Sequence, residues 1–369
     1  MPTPTTERAL IAALRKRLQA HGNGPSRKHS AVRLGIGDDC AILRVPRGRE
    51  MLVTTDMSLE TLHFRRDWHP AESVGHRCLA RGLSDLAAMG ATPLAAFLSL
   101  ALPPELTLPQ RGRPAWRDRF FAGLLALAQH HAVPLAGGDT AQSPAYRGIQ
   151  PSNSPSGSRG LAIADIALIG SAPRNRSLLR STAQPGDRIY VTGHLGGSAA
   201  ELAVLAAHPR RFAKIVTPSA TSPVAKFVTA WAHPHLYPQP RVAVGQALLA
   251  RRLATAAIDL SDGLSTDLDH LCEESNVAAI LDATRLPIHP LAAAKEDALQ
   301  LALHGGEDYE LLFTASPRTR VPHSLAGVPI TCIGEILSSK RGVPRMQLAG
   351  SGARPLPLHP AGWEHYRSR

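Results

Sequence analysis

The chain has 369 residues, 44% hydrophobic and only 4% aromatic, with a formal net charge of +12 and an isoelectric point near 10.2. That length buries a substantial core and suits two domains or one large one. The basic residues are scattered arginines rather than a Lys/Arg block interleaved with aromatics, which favours a general attraction for anions over a nucleic-acid surface.

Cys40, Cys78, Cys272 and Cys332 stand far apart, without a C-x-x-C or a nearby His pair. This speaks against structural zinc and a disulfide framework and suits a reducing cytoplasm. No apolar run reaches the length of a membrane span. Leu10, Ile11, Leu14 and Leu18 recur at helical spacing around Arg15-Lys16-Arg17. The start therefore reads as an amphipathic helix, not a signal peptide, and a cytoplasmic location is expected.

After a polar stretch from His21 to Ser30, Met51 to Thr55 reads as a short buried strand ending on Asp56, with His63 in the loop beyond. Val74, Cys78, Leu79, Leu83 and Leu86 share one helical face between Glu72 and Met89, and Gly90 is the expected stop. Leu94 to Leu100 is a strand, Trp116 to His131 an amphipathic helix, and Val133 to Ala136 a short strand running into Gly137-Gly138-Asp139-Thr140. Ser143 to Gly160 has loop composition, and Leu161 to Ile169 is a strand closing a first domain, 1–172.

In the second half, 173–369, strands are expected at Asp187 to Gly193, Ala254 to Leu260, Val277 to Leu281, Glu310 to Phe313 and Pro329 to Ile333. Helices are expected after Gly196-Gly197, with Ser198 as N-cap, at Val242 to Leu253 and at Leu264 to Ser275. Pro218 to Pro240 is a Pro- and His-rich loop. The alternation implies an α/β or α+β fold of two similar-sized lobes.

One pattern recurs throughout: a carboxylate set among Gly, Ser and Thr beside an apolar run. It appears as Gly37-Asp38-Asp39, Thr54-Thr55-Asp56, Leu83-Ser84-Asp85, Gly138-Asp139-Thr140, Asp259-Leu260-Ser261-Asp262-Gly263 and Gly306-Glu307-Asp308-Tyr309. Any one of these is explained by a turn. Together they suit a polynuclear Mg²⁺–phosphate site, because hard cations offset the repulsion of clustered carboxylates. No nucleophile with a paired base is evident, so no catalytic side chain is assigned and direct transfer is expected.

The motifs Gly35-Ile36-Gly37-Asp38-Asp39-Cys40-Ala41, Leu83-Ser84-Asp85-Leu86-Ala87-Ala88-Met89-Gly90, Gly137-Gly138-Asp139-Thr140, Ile258-Asp259-Leu260-Ser261-Asp262-Gly263 and Gly305-Gly306-Glu307-Asp308-Tyr309-Glu310-Leu311 resemble, in order and spacing, the thiamine-monophosphate kinase family. The resemblance implies a two-domain aminoimidazole ribonucleotide synthetase-like fold, a homodimer with N-terminal strands forming a barrel across the interface, and ATP-dependent phosphorylation of thiamine monophosphate. It places Mg²⁺ on Asp39, Thr54, Thr55, Asp56, Asp85, Asp139, Asp259 and Asp262. ATP would contact Gly138, Asp139, Arg180 and Ser261, and the thiamine substrate His63, Glu307 and Trp363. It also implies Phe121 as an aromatic stacking on adenine. Another ATP-using member of the same superfamily and, further off, a basic nucleic-acid-binding protein remain as alternatives.

Overall fold

The computed structural model describes Lys16 and residues 31–36, 40–109, 112–144, 160–208, 233–350 and 354–364. The expected N-terminal helix around Leu10 and the site residue Asp39 lie outside them, as do most of the Ser143 to Gly160 loop and the first part of the Pro218 to Pro240 loop. The chain divides into two compact units. One comprises Met1–Gly82, Pro93–Ser171 and Leu205–Thr229; the other comprises Leu83–Thr92, Ala172–Val204 and Ala230–Arg369.

The first unit contains an antiparallel ribbon of β1 (Val32–Leu34) and β2 (Ile42–Leu43). Its main sheet has the order β3 (Arg49–Leu59), β6 (Ile163–Pro173), β4 (Thr92–Leu102), β5 (Leu135–Gln142), with β4 and β5 parallel. Helix α1 (Ala71–Ala88) carries the expected stripe: Val74, Cys78, Leu79, Leu83 and Leu86 are all buried. Gly90 ends it with φ +68°. The Gly90 and Ala91 amides donate to the Ala87 and Leu86 carbonyls, the paired bonds of a Schellman turn. Helix α2 (Trp116–His130) buries Phe120, Phe121, Leu124 and Leu127.

The second unit is built on one long sheet, in the order β14 (Leu356–Pro357), β13 (Met346–Ala349), β9 (Val277–Asp282), β12 (Val328–Ser338), β7 (Arg188–Thr192), β10 (Leu311–Ala315), β8 (Ala256–Asp259). The two-residue strand β11 (Ser324–Leu325) pairs with β12. The neighbours are antiparallel except for β13 beside β9. Helices α3 (Gly197–Ala207), α4 (Val242–Ala250), α5 (Leu264–Ser275), α6 (Pro290–Ala293) and α7 (Ala298–His304) complete it. Ile189, Val191, Ile258, Leu268, Leu271, Leu312 and Ile336 join one buried cluster, so the α5 stripe packs on one sheet face. The fold is mixed α/β. None of the sheets closes into a barrel among the described residues.

Two expectations change. The Gly137 to Thr140 cluster is not a turn after a strand, because β5 runs through it in register with β4, Asp139 opposite Ser99. Small residues here leave the strand intact because neighbouring ladder bonds hold it. Ser198 is not the cap of α3: the helix begins at Gly197, and its first amides are satisfied by a carboxylate from a distant loop. Among the described residues no helix is long and apolar enough to cross a membrane.

Candidate active site

In the first unit, strand alternation sorts the Thr-Thr-Asp step. Thr54 and Asp56 are half-buried, whereas Thr55 is exposed on the face carrying Met51, Val53 and Met57. The Thr55 side chain therefore points away from its two neighbours, which separates it from the expected shared metal set. Gly138 and Asp139 are exposed on β5, and the Asp139 carboxylate accepts the Thr140 amide at 2.8 Å.

His63 sits in the turn after β3, where its Nδ1 accepts the Leu59 amide at 3.0 Å and its own amide donates to the Leu59 carbonyl. An Nδ1 acting as acceptor leaves the proton on Nε2, so the ring is a neutral donor and not a poised base. Phe121 is 2% exposed, with its ring edge-on to Phe120. It belongs to the core and has no open face for a base, which corrects its expected stacking role.

The second unit brings the remaining residues together. The Asp259 to Gly263 loop leaves β8 and is stitched to the Gly305 to Glu310 loop, which leads into β10. Glu307 and Tyr309 amides donate to the Ser261 and Leu260 carbonyls at 2.8 and 2.9 Å, and the Leu260 amide donates to Glu310 at 2.8 Å. Glu307 and Tyr309 both take left-handed backbone, φ +66° and +50°, a costly conformation for residues with side chains. The C-terminal segment closes over the same loop: the Trp363 amide donates to the Asp262 carbonyl at 2.9 Å and the Gly362 amide to Thr266 Oγ1 at 3.1 Å. A side chain at Gly362 would run into the Asp262 carbonyl oxygen, so glycine there is a requirement of close approach. Trp363 itself is half-buried.

Charge at this loop is concentrated. Burial, and then the neighbouring Asp85, push the Asp259 carboxyl up to about 7, while the Ser84 hydroxyl and the Arg180 guanidinium pull it down. Asp267, on α5, accepts the Asp262 and Gly263 amides at 3.1 and 3.0 Å. Burial, then Asp259 and Asp262, hold its carboxyl well above the ordinary range. The donors at Asp85, Asp259, Ser261 and Asp262 are all oxygens and the carboxylates repel, which suits a hard cation. Among the described residues, however, no three His, Cys, Asp or Glu side chains already group as a metal cage.

Three structural roles escaped the sequence reading. Asp308, set in the Gly-Gly-Glu-Asp-Tyr motif, turns its carboxyl onto the Gly196 and Ser198 amides at 2.7 and 3.1 Å, and so caps α3. Burial raises it to about 7. Glu310 accepts Thr192 Oγ1 at 2.6 Å and forms a two-pronged bond with Arg241. Glu201 of α3 is 3% exposed and grips the segment from His233 to Leu236. Only the unusual density of His and Pro near position 235 hinted at this last arrangement.

An oxygen-rich, carboxylate-lined loop on a mixed α/β frame is compatible with a Mg²⁺- and phosphate-handling protein, and residues 37–156 match the family described as AIR synthase related protein, N-terminal domain. The chain is 38% identical over 342 residues to the thiamine-monophosphate kinase of Escherichia coli strain K12, covering 91% of this chain and 92% of that one. A crystal structure of thiamine-monophosphate kinase from Stenotrophomonas maltophilia K279a superimposes with a TM-score of 0.72 at 34% identity, over 92% of this chain and 97% of that one. A structure of AaThiL complexed with AMPPCP and TMP gives a TM-score of 0.66 at 25% identity, over 99% of each chain. The chain belongs to the thiamine-monophosphate kinase family.

Proposed function

We propose that this chain transfers the γ-phosphoryl group of ATP directly to thiamine monophosphate, giving ADP and thiamine diphosphate. The observation that carries the reading is the buried Asp259 carboxylate with the half-buried Asp85 close enough to raise its pKa, beside Ser261 and Asp262, with Glu307 and Trp363 seated on the same loop. In this reading Asp85, Asp259 and Asp262 hold Mg²⁺ in the second unit, where Arg180 and Ser261 meet ATP and Glu307 and Trp363 meet thiamine. Thr54, Asp56 and Asp139 hold Mg²⁺ from the first unit, with Gly138 at the nucleotide and the neutral Nε2–H of His63 at the substrate. Asp39 and the backbone of Thr55 belong to the same set by family resemblance. When bound, Mg²⁺ neutralises phosphate charge as the two phosphates approach.

The acceptor is a phosphate oxygen already ionised at neutral pH, so no side chain needs to remove a proton. The protein's task is to hold two anions in line and exclude water. Arg180, exposed near Asp259, contributes a fixed positive charge. Glu307 offers a carboxylate to the cationic, amino-bearing thiamine rings, and Trp363 an indole face.

The homodimer fits the outer face of β3. Met51, Val53 and Met57 are 52%, 60% and 50% exposed on a strand at the edge of its sheet order. An apolar edge strand of this kind is normally covered. Pairing with the same strand of a second copy would cover it. A cytoplasmic location accords with a biosynthetic role.

A coupled assay for ADP, offering thiamine monophosphate, thiamine and aminoimidazole precursors as competing acceptors, tests the reaction. ADP should form in step with thiamine diphosphate and only with thiamine monophosphate, and EDTA should stop it until Mg²⁺ is restored. Turnover with an aminoimidazole acceptor alone would overturn the reading.

A further inference from the structure

The Pro- and His-rich segment, which the expected chemistry leaves unused, brings a histidine beside the Glu307 carboxylate. His235 is 1% exposed, and its Nδ1 lies 3.0 Å from Ser198 Oγ and 3.6 Å from Glu307 Oε2. Its backbone is held independently. The amides of His235 and Leu236 donate to Glu201 Oε2 at 2.7 and 3.3 Å, and His233 Nδ1 lies 2.6 Å from Glu201 Oε1. Ser198 and Glu201 are three residues apart on α3, so one helix face supplies both grips. That helix is in turn capped by Asp308, the residue next to Glu307. The histidine and the carboxylate are thus tied to one rigid element from two directions.

We propose that His235 is a positioning residue for Glu307. It fixes the carboxylate's orientation and keeps it aimed at the amino-bearing, cationic part of the phosphate ester. The Glu307 backbone is left-handed, its side chain is 21% exposed, and the Tyr309 hydroxyl lies 3.5 Å from Oε1. The buried imidazole, 3.6 Å from Oε2, limits the rotamers open to the Glu307 side chain. Ser198, hydrogen-bonded to Nδ1 at 3.0 Å, fixes the plane of the imidazole ring beside Glu307. Glu201 acts further back, on the segment that carries the ring. The assignment of Glu307 to the thiamine moiety rests on the function proposed above, whereas the His235–Glu307 contact does not.

The test has two arms. In the kinetic arm, His235→Ala should raise KM for thiamine monophosphate about fivefold, the scale of a close charge contact short of a hydrogen bond, with KM for ATP within about twofold. His235→Asn, whose amide can stand where Nδ1 stands, should recover most of the loss. Ser198→Ala removes only a hydroxyl and should give the same selective effect, smaller, in a protein that folds normally. In the second arm, the ligand-free protein is labelled with ¹⁵N-histidine. Glu307→Gln should shift the His235 Nδ1 resonance and leave the other imidazoles in place. An unmoved His235 resonance would overturn the proposal whatever the enzyme's substrate, and so would equal rises in both KM values. A moved resonance in a protein that does not turn over thiamine monophosphate would leave the positioning intact and overturn the function instead.

Discussion

The Gly-Asp clusters of the two units look alike in sequence and differ in structure. In the first unit Asp139 stands exposed on β5 and meets only the next residue's amide, and Asp56 is half-buried on β3. In the second, Asp259 is 5% exposed, and Asp267 and Asp308 spend their carboxylates on backbone amides of the Asp262 and Gly196 turns. An exposed carboxylate such as that of Asp139 can be offered to a ligand at little cost to the fold. A buried one bonded to amides is committed to the backbone, and its loss leaves donors unsatisfied. The same short motif therefore leaves a carboxylate open in one place and ties a carboxylate into the backbone in another, and the difference is decided by what lies opposite.

The largest expected effect breaks the first half of this contrast. Asp139→Asn and Asp56→Asn should each lower kcat by about a hundredfold or more at saturating Mg²⁺, a few kcal/mol of barrier, with an unchanged melting temperature. Near-normal turnover in both variants would remove them from the metal set.

The second half is broken by Asp308→Ala, which should cost on the order of 1–3 kcal/mol by orphaning the Gly196 and Ser198 amides, read as a clear fall in melting temperature. Its pH dependence has a definite sign. The folded carboxyl titrates at about 7, above its ordinary value of 3.8. Its contribution to stability is therefore complete below pH 3.8 and is lost as pH rises towards and through 7. Asp308→Asn should flatten the melting-temperature profile between about pH 4 and 7; a profile identical to that of the parent would show that Asp308 is already ionised.

Smaller and more selective is the effect expected at the C-terminal segment. Trp363→Ala should raise KM for thiamine monophosphate roughly threefold to thirtyfold on the cation–π scale and spare KM for ATP, with Trp363→Phe recovering most of it. Gly362→Ala should behave like Trp363→Ala, because a methyl group aimed at the Asp262 carbonyl forces the segment off the loop. Equal damage to both KM values would make Trp363 mere packing.

The mildest change is expected at β3. Val53→Lys should shift the sedimentation coefficient from dimer to monomer while the isolated chain keeps its circular dichroism, since this side chain is 60% exposed. A persisting dimer would place the interface elsewhere.

Local pattern carried much of the chain. Helix α5 occupies Leu264–Ser275, as its leucine spacing predicts, and the α1 stripe and its Gly90 stop follow equally from short-range periodicity and turn chemistry. The five motifs built around those carboxylates, in their order and spacing, were likewise enough to recognise the family. What the sequence could not settle depends on partners far along the chain. β5 continues through Gly137 and Gly138 because β4 lies beside it, and Phe121 is core because Phe120 and the rest of α2 turn inward. Asp308 caps a helix that begins 111 residues earlier only because β7 and β10 are neighbours. His235 reaches Glu307 only because Glu201 holds its backbone. Periodicity and turn preference are properties of a few consecutive residues, and the sequence by itself determined those. Burial, capping and which carboxylates are tied to backbone amides are set by which strands meet, and that the tertiary structure alone decided.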